Sequence, residues 1–73
     1  MKPAKKKLSA VAINTKKFRK AKGFSQDKLS KLADVSFHTI TKIESGDTPN
    51  PTIDTVQKIA QALDVGVDDL LNQ

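Results

Sequence analysis

The sequence has no cysteine, tryptophan or tyrosine, only one histidine, and three phenylalanines among its 73 residues. Without thiols there is no disulfide and no thiolate metal site, and a single imidazole cannot build a zinc cage. No metal or other cofactor is expected, and packing alone must hold the fold. No apolar run approaches the roughly 18 residues that a membrane span needs. The apolar segment at 8–13 is interrupted by Ser9 and ends in Asn14 and Thr15, too short for the core of a secretory signal. A soluble, cytoplasmic protein without membrane contact is the expectation, and the missing cysteines suit a reducing compartment. Also absent are a phosphate-binding glycine loop, paired carboxylates and a nucleophile with a base beside it, so an enzyme is the least expected class. A chain of this size buries about 60% of its unfolded surface, which sets one small domain as the ceiling.

What is present is charge, unevenly spread. Residues 1–22 hold nine Lys or Arg and no acid, whereas residues 23–73 hold four bases and eight acids. That asymmetry points to a basic surface for a polyanion, with nucleic acid first among the partners, and to a separate acidic face. Residues 1–8 read as a basic arm with Lys5, Lys6 and Lys7 as candidate DNA contacts; the alternative is a solvated tail. Residues 9–73 read as the folded domain.

Apolar residues recur at three and four and nowhere alternate for long, so the chain reads as all-α. The first helix spans Ser9 or Ala10 to Lys22 and stops at Gly23, with Val11, Phe18 and Ala21 near one face; Ser9 and Asn14 are both candidate caps. The second is capped by Ser25, carries Asp27 in its first turn, and turns Leu29, Leu32 and Ala33 inward. Phe24 and Leu29 are spaced as a hydrophobic staple. The pattern breaks at Asp34. A third helix, capped by Ser36, turns Ile40 and Ile43 inward and ends at Gly46. The stretch 47–51 is turn chemistry around Pro49 and Pro51. Thr52 then caps a fourth helix with Ile53, Val56, Ile59, Ala60 and Leu63 on one stripe, and a short fifth, Val67 to Leu71, follows Gly66.

Two short helices joined by a tight turn, with the small Ser30 in the first and a polar outer face on the second, meet the requirements of a DNA-reading helix-turn-helix. The run Phe24-Ser25-Gln26-Asp27-Lys28-Leu29-Ser30-Lys31-Leu32-Ala33-Asp34-Val35-Ser36, followed by Thr39-Ile40-Thr41-Lys42-Ile43-Glu44-Ser45-Gly46, resembles the Cro and phage-repressor-like helix-turn-helix family. Pro51-Thr52-Ile53, Ile59 through Val65 and Leu70-Leu71 extend the likeness, which covers about residues 15–71. It implies a compact five-helix bundle of the lambda-repressor type, with the helix-turn-helix at about 25–46. Asp34 and Asp64 depart from the family, which usually has Gly there; Asp enters the left-handed region at a cost of roughly 1 kcal/mol against Gly.

The resemblance also implies site residues. Ser25, Gln26 and Ser36 match helix starts that hold DNA phosphate, and Arg19 adds a fourth contact. With Ile40 and Ile43 inward, Phe37, His38, Thr41 and Lys42 face outward at the positions with which the family reads bases. Lys42 and His38 can reach purine edges or phosphate, and Phe37 can touch a thymine methyl. The competing roles are a cover over the helix junction for Phe37, and phosphate contact or plain solvation for Lys42. Arg19 and Glu44 match a structural salt bridge. Val67, Leu70 and Leu71 are the candidate dimer surface, unless Val67 and Leu70 close the core.

The function these residues imply is sequence-specific binding of double-stranded DNA by a transcriptional regulator, a repressor acting as a homodimer, at least on DNA, at a two-fold symmetric operator. The protein would then be nucleoid-associated when bound. The alternative is a protein-interaction module on the same fold, such as the antitoxin of a toxin–antitoxin pair or a transcription bridging factor.

Overall fold

The computed structural model describes residues 8–72 and contains five helices: α1 (Ala10–Ala21), α2 (Gln26–Ala33), α3 (Phe37–Ser45), α4 (Ile53–Leu63) and α5 (Val67–Leu71). Residues 1–7, and with them Lys5, Lys6 and Lys7, lie outside the described residues. Four of the five helix starts are hydroxyl caps. Ser9, Ser25, Ser36 and Thr52 each accept a hydrogen bond from the backbone N–H three residues on, which satisfies a donor the helix leaves unpaired. At Gly66 the arrangement is reversed: the Asp69 carboxylate, 2.8 Å away, accepts the Gly66 N–H and holds a negative charge at the start of α5.

Three helix ends share one solution. The backbone N–H groups of Phe24, Val35 and Val65 reach back to the carbonyls of Arg19, Ser30 and Ala60, five residues earlier, at 3.0–3.1 Å. The residue before each of them, Gly23, Asp34 or Asp64, is in the left-handed conformation, with φ of 74°, 58° and 58°. Each apolar residue after the turn packs against the core, so the turn that ends a helix also adds to the bundle. Among the described residues neither aspartate side chain makes a hydrogen bond or ion pair that would offset the backbone cost. Asp34→Gly and Asp64→Gly are each expected to raise stability by about 0.5–1 kcal/mol, read by urea unfolding with an unchanged denaturant slope. Destabilisation at either site would show that the aspartate has a stabilising role outweighing its strain.

Leu29, Ile40, Ile43, Ile59, Leu63 and Leu70 are fully buried, with Val11, Ala12, Ala33, Val56 and Ala60 around them. Around this core α1 packs on α3 and α5, α2 packs on α3 and α4, and α4 packs on α5. The family-type all-α bundle is thus the architecture. Several expected inward residues are not inward. Ala21, Leu32 and Ile53 are exposed, while Ala12, Asn14, Thr15 and Ser30 are buried. On α2 the buried side runs through Leu29, Ser30 and Ala33, which turns Leu32 out; Ser30 is tolerated inside because its hydroxyl donates to the Asp27 carbonyl at 2.7 Å. Ile53 is the first residue of α4, a turn ahead of the core. Asn14 caps nothing in its own helix. Its amide donates to the carbonyls of Leu70 at 3.2 Å and Asn72 at 2.7 Å, tying the end of α5 to α1. No helix among the described residues is long and apolar enough to cross a membrane.

Candidate nucleic-acid interface

A buried ion pair positions the helix-turn-helix. Arg19 on α1 and Glu44 on α3 are 8% and 6% exposed, and the guanidinium meets the carboxylate as a two-pronged fork: Nε to Oε2 at 2.7 Å and Nη2 to Oε1 at 2.9 Å. Nη1 donates to the Phe24 carbonyl at 2.8 Å, in the link between α1 and α2. The hydrogen bonds to Glu44 hold the Arg19 guanidinium above its usual range against the opposing effect of burial, so the side chain stays charged. Three of its five N–H groups are used and two remain for an outside acceptor. The Gln26 amide donates to Glu44 Oε1 at 3.0 Å, so the first residue of α2 is tied to the end of α3 through the carboxylate. One Gln26 N–H remains, and the side chain is held at the helix start where a phosphate oxygen would meet unpaired backbone N–H groups. The structure therefore brings Arg19, Gln26 and Glu44 into one cluster.

Ser25 and Ser36 serve first as caps. The Ser25 hydroxyl accepts from the Lys28 N–H at 3.0 Å, and the Ser36 hydroxyl both accepts from the Thr39 N–H at 3.0 Å and pairs with the Thr39 hydroxyl at 2.8 Å. On the outer side of α3, Phe37, His38 and Lys42 are exposed. Thr41 is half-buried, and its hydroxyl donates to the His38 carbonyl at 3.0 Å, which leaves its lone pairs and methyl for an outside contact. His38 and Lys42 form one wall of a shallow groove whose other wall is Thr48, Asn50 and Thr52, from the link to α4 and its first cap. Sequence reasoning took these three as turn and cap residues only. The sign that could have found them is their density of hydroxyl and amide groups beside two prolines, next to a helix with a polar outer face.

The candidate dimer triad divides. Leu70 is fully buried beneath α1 and α4, which removes it from any surface; the short α5 needs one leucine to close the core. Val67 is half-buried and packs against the core, and Leu71 is 45% exposed. Of the three, Leu71 and part of Val67 remain accessible. Among the described residues no group of three or more His, Cys, Asp or Glu side chains could hold a metal ion.

Comparison with known proteins agrees with this geometry. A family model described as helix-turn-helix, HTH_3, matches residues 16–70. The HTH-type transcriptional regulator SinR of Bacillus licheniformis is 38% identical over 63 residues, which are 86% of this chain and 57% of that protein. The chain thus spans little more than half the length of that relative. The N-terminal DNA-binding domain of SinR from Bacillus subtilis superposes with a TM-score of 0.83 at 33% identity, covering 86% of this chain and 91% of that one. A crystal structure of SinR in complex with DNA superposes with a TM-score of 0.82 at 34% identity, covering 85% of this chain and 98% of that one.

Proposed function

Because the chain belongs to the helix-turn-helix family whose model it matches over residues 16–70, we propose that it binds double-stranded DNA sequence-specifically and regulates transcription, acting as a repressor dimer on a two-fold symmetric operator. The observation that carries this reading is the division of labour around α3. One side of the helix is locked to α1 and α2 through Glu44, while the other presents Phe37, His38 and Lys42 to solvent. A helix of nine residues fixed in this way reaches the base edges of a major groove as a rigid unit. Gln26, Arg19, Ser25 and Ser36 supply phosphate contacts that set its register, Phe37, His38, Thr41 and Lys42 read the bases, and Val67 and Leu71 join two copies.

Selection of binding sites from random duplexes tests the proposal. One enriched, two-fold symmetric motif is expected. His38→Ala and Lys42→Ala should each change the preferred base pairs, with about 1–3 kcal/mol of discrimination lost per bidentate contact, whereas Gln26→Ala should weaken all sequences alike. If His38→Ala and Lys42→Ala lower every affinity together and leave the preference intact, the assignment of α3 as the reader is wrong. The second reading, a protein-interaction module, draws on a groove between α4 and α5 lined by Gln57, Gln61, Val65 and Val67. A selection with no enriched motif, together with a tight protein partner lost on substitution at Gln57 or Gln61, would favour it.

A further inference from the structure

α4 and α5 carry a charge opposite to that of the whole chain. Ile53–Leu71 holds Asp54, Asp64, Asp68 and Asp69 against one base, Lys58, in a protein of net charge +5. Along α4 and its cap, Asp54, Gln57, Gln61 and Asp64 recur at i, i+3, i+7 and i+10, all exposed, so one stripe is bounded by a carboxylate at each end. Asp54, Gln57 and Gln61 line an open groove together with Val65 and Val67, from the turn into α5 and its first residue. Neither glutamine amide is bonded among the described residues, nor is the Asp64 carboxylate. Asp54 meets Lys58 at 3.7 Å, but their side chains are 76% and 42% exposed, and a pair so open leaves the carboxylate available to another cation. Ile53, 59% exposed, precedes Asp54 and stands one turn before Gln57.

This stripe is separate from the reading face. Thr52 and Thr55 line the groove beside His38 and Lys42, whereas Gln57 lies two residues past Thr55, about 200° further round α4. The two grooves therefore open on opposite sides of that helix, and one can be filled while the other meets DNA. Ile53, the stripe and Val65 also include neither Val67 nor Leu71, the residues proposed to join two copies. Negative charge keeps nucleic acid out of the α4–α5 groove. Among the described residues there is no strand edge for a peptide to extend, which leaves a helix laid in the groove as the mode of docking. We infer that this groove docks a basic amphipathic helix of a partner protein, with Lys or Arg side chains about 15 Å apart, the length of helix between Asp54 and Asp64. The cations meet the two carboxylates, and an apolar row beside them covers Ile53 and Val65. Elsewhere the positive chain repels such a helix, so the local reversal of sign selects where it lands. The interaction module raised above as an alternative to DNA binding becomes an addition to it.

The test uses the whole chain, without DNA, and a synthetic alanine-based peptide helix with leucines one turn apart and a lysine at each end of that row. One control peptide has glutamate in place of lysine, and another has serine in place of leucine. Titration calorimetry at low salt should show saturable one-to-one binding of the lysine–leucine peptide and about tenfold weaker binding, or none, of each control. Amide resonances of Ile53, Gln57, Gln61 and Val65 should shift, and those of His38 and Lys42 should not. Asp54→Asn/Asp64→Asn and Gln57→Lys/Gln61→Lys should each weaken the peptide about tenfold, the second by setting like charge in the groove, and both should keep the base preference of the parent. No saturable binding, equal binding of the glutamate peptide, or shifts on α3 instead of the groove would overturn the inference. So would self-association of the parent that Gln57→Lys/Gln61→Lys abolishes while the peptide does not bind, which would give the groove to a second copy of this chain. Failure of the regulator reading is separate, since it appears as a duplex selection with no motif, in which none of these peptides takes part.

Discussion

Glu44→Ala should destabilise the domain by about 3–5 kcal/mol, the range for removing one partner of a buried ion pair. A domain of this length holds about 4–11 kcal/mol in total, so the variant should sit near its unfolding threshold. The loss is large because Glu44 is the common acceptor for two Arg19 nitrogens and the Gln26 amide. Without the carboxylate a guanidinium only 8% exposed keeps its charge and a single bond, to the Phe24 carbonyl. Solvent screening, which reduces exposed pairs to a few tenths of a kcal/mol, is weak at this burial. The double variant Arg19→Met/Glu44→Leu should recover a substantial part of the loss, because an apolar pair removes the unpaired charge. Urea unfolding of the four proteins gives the coupling energy, expected to exceed about 1.5 kcal/mol; additive effects below about 1 kcal/mol would reduce the bridge to two independent surface charges. There is a functional consequence as well. The double variant, which removes the acceptor of the Gln26 amide, should also free the Gln26 side chain and weaken binding to all DNA sequences alike, leaving base preference to α3.

The Arg19–Glu44 pair was legible only through resemblance, since the residues stand 25 apart and nothing local to either names the other. Helix starts were legible for the opposite reason. A cap is a bond between a side chain and a backbone N–H three residues later, so Ser25, Ser36 and Thr52 carry their own evidence in sequence. The left-handed turns at Asp34 and Asp64 were legible through the resemblance, which puts Gly at both positions, and the positive φ at each agrees with it. Asn14 was misjudged because its partners, the carbonyls of Leu70 and Asn72, lie at the far end of the chain. Hydropathy also turned Leu32 inward and ranked Ala21 above Thr15, whereas the packing angle of each helix chose otherwise; the burial of Ser30 agrees with its reading as the small residue at the helix crossing.

At the site, the outward set on α3 followed from fixing Ile40 and Ile43 inward, because the helical repeat leaves few choices for the remaining positions. The wall formed by Thr48, Asn50 and Thr52 did not follow: where a loop folds back is set by the chain it packs against, and Pro49 and Pro51 restrict the backbone without aiming it. The basic bias of residues 1–22 was plain in the composition. Which of those lysines share a face became clear only when the buried side of α1 was known, since a helix start uncertain by even a few residues leaves the inward direction open.

The fifth helix puts two adjacent leucines in opposite roles, and substituting each should separate fold from assembly. Leu70 is fully buried, so Leu70→Ala should cost about 2–5 kcal/mol through lost burial and the cavity left behind. Its neighbours give little room for collapse: Asn14 fixes the carbonyl of Leu70, and Asp69 fixes the start of the same short helix. Leu71 is 45% exposed, and Leu71→Glu should change the stability of the single domain by no more than about 0.5 kcal/mol. If two copies meet through Leu71 and Val67, the same substitution buries a carboxylate beside Asp68 and its symmetry mate, adding like charge to a contact that already carries it. Self-association and cooperative binding to two half-sites should then be lost while helicity is kept. Added salt should strengthen the parent's self-association without DNA, because it screens Asp68 and Asp69 across the two-fold axis. Sedimentation at two salt concentrations, with binding to whole and half operators, reads both effects. Cooperativity unchanged in Leu71→Glu would move the contact off α5, and Ile13, 42% exposed on the neighbouring α1, would be the next residue to substitute.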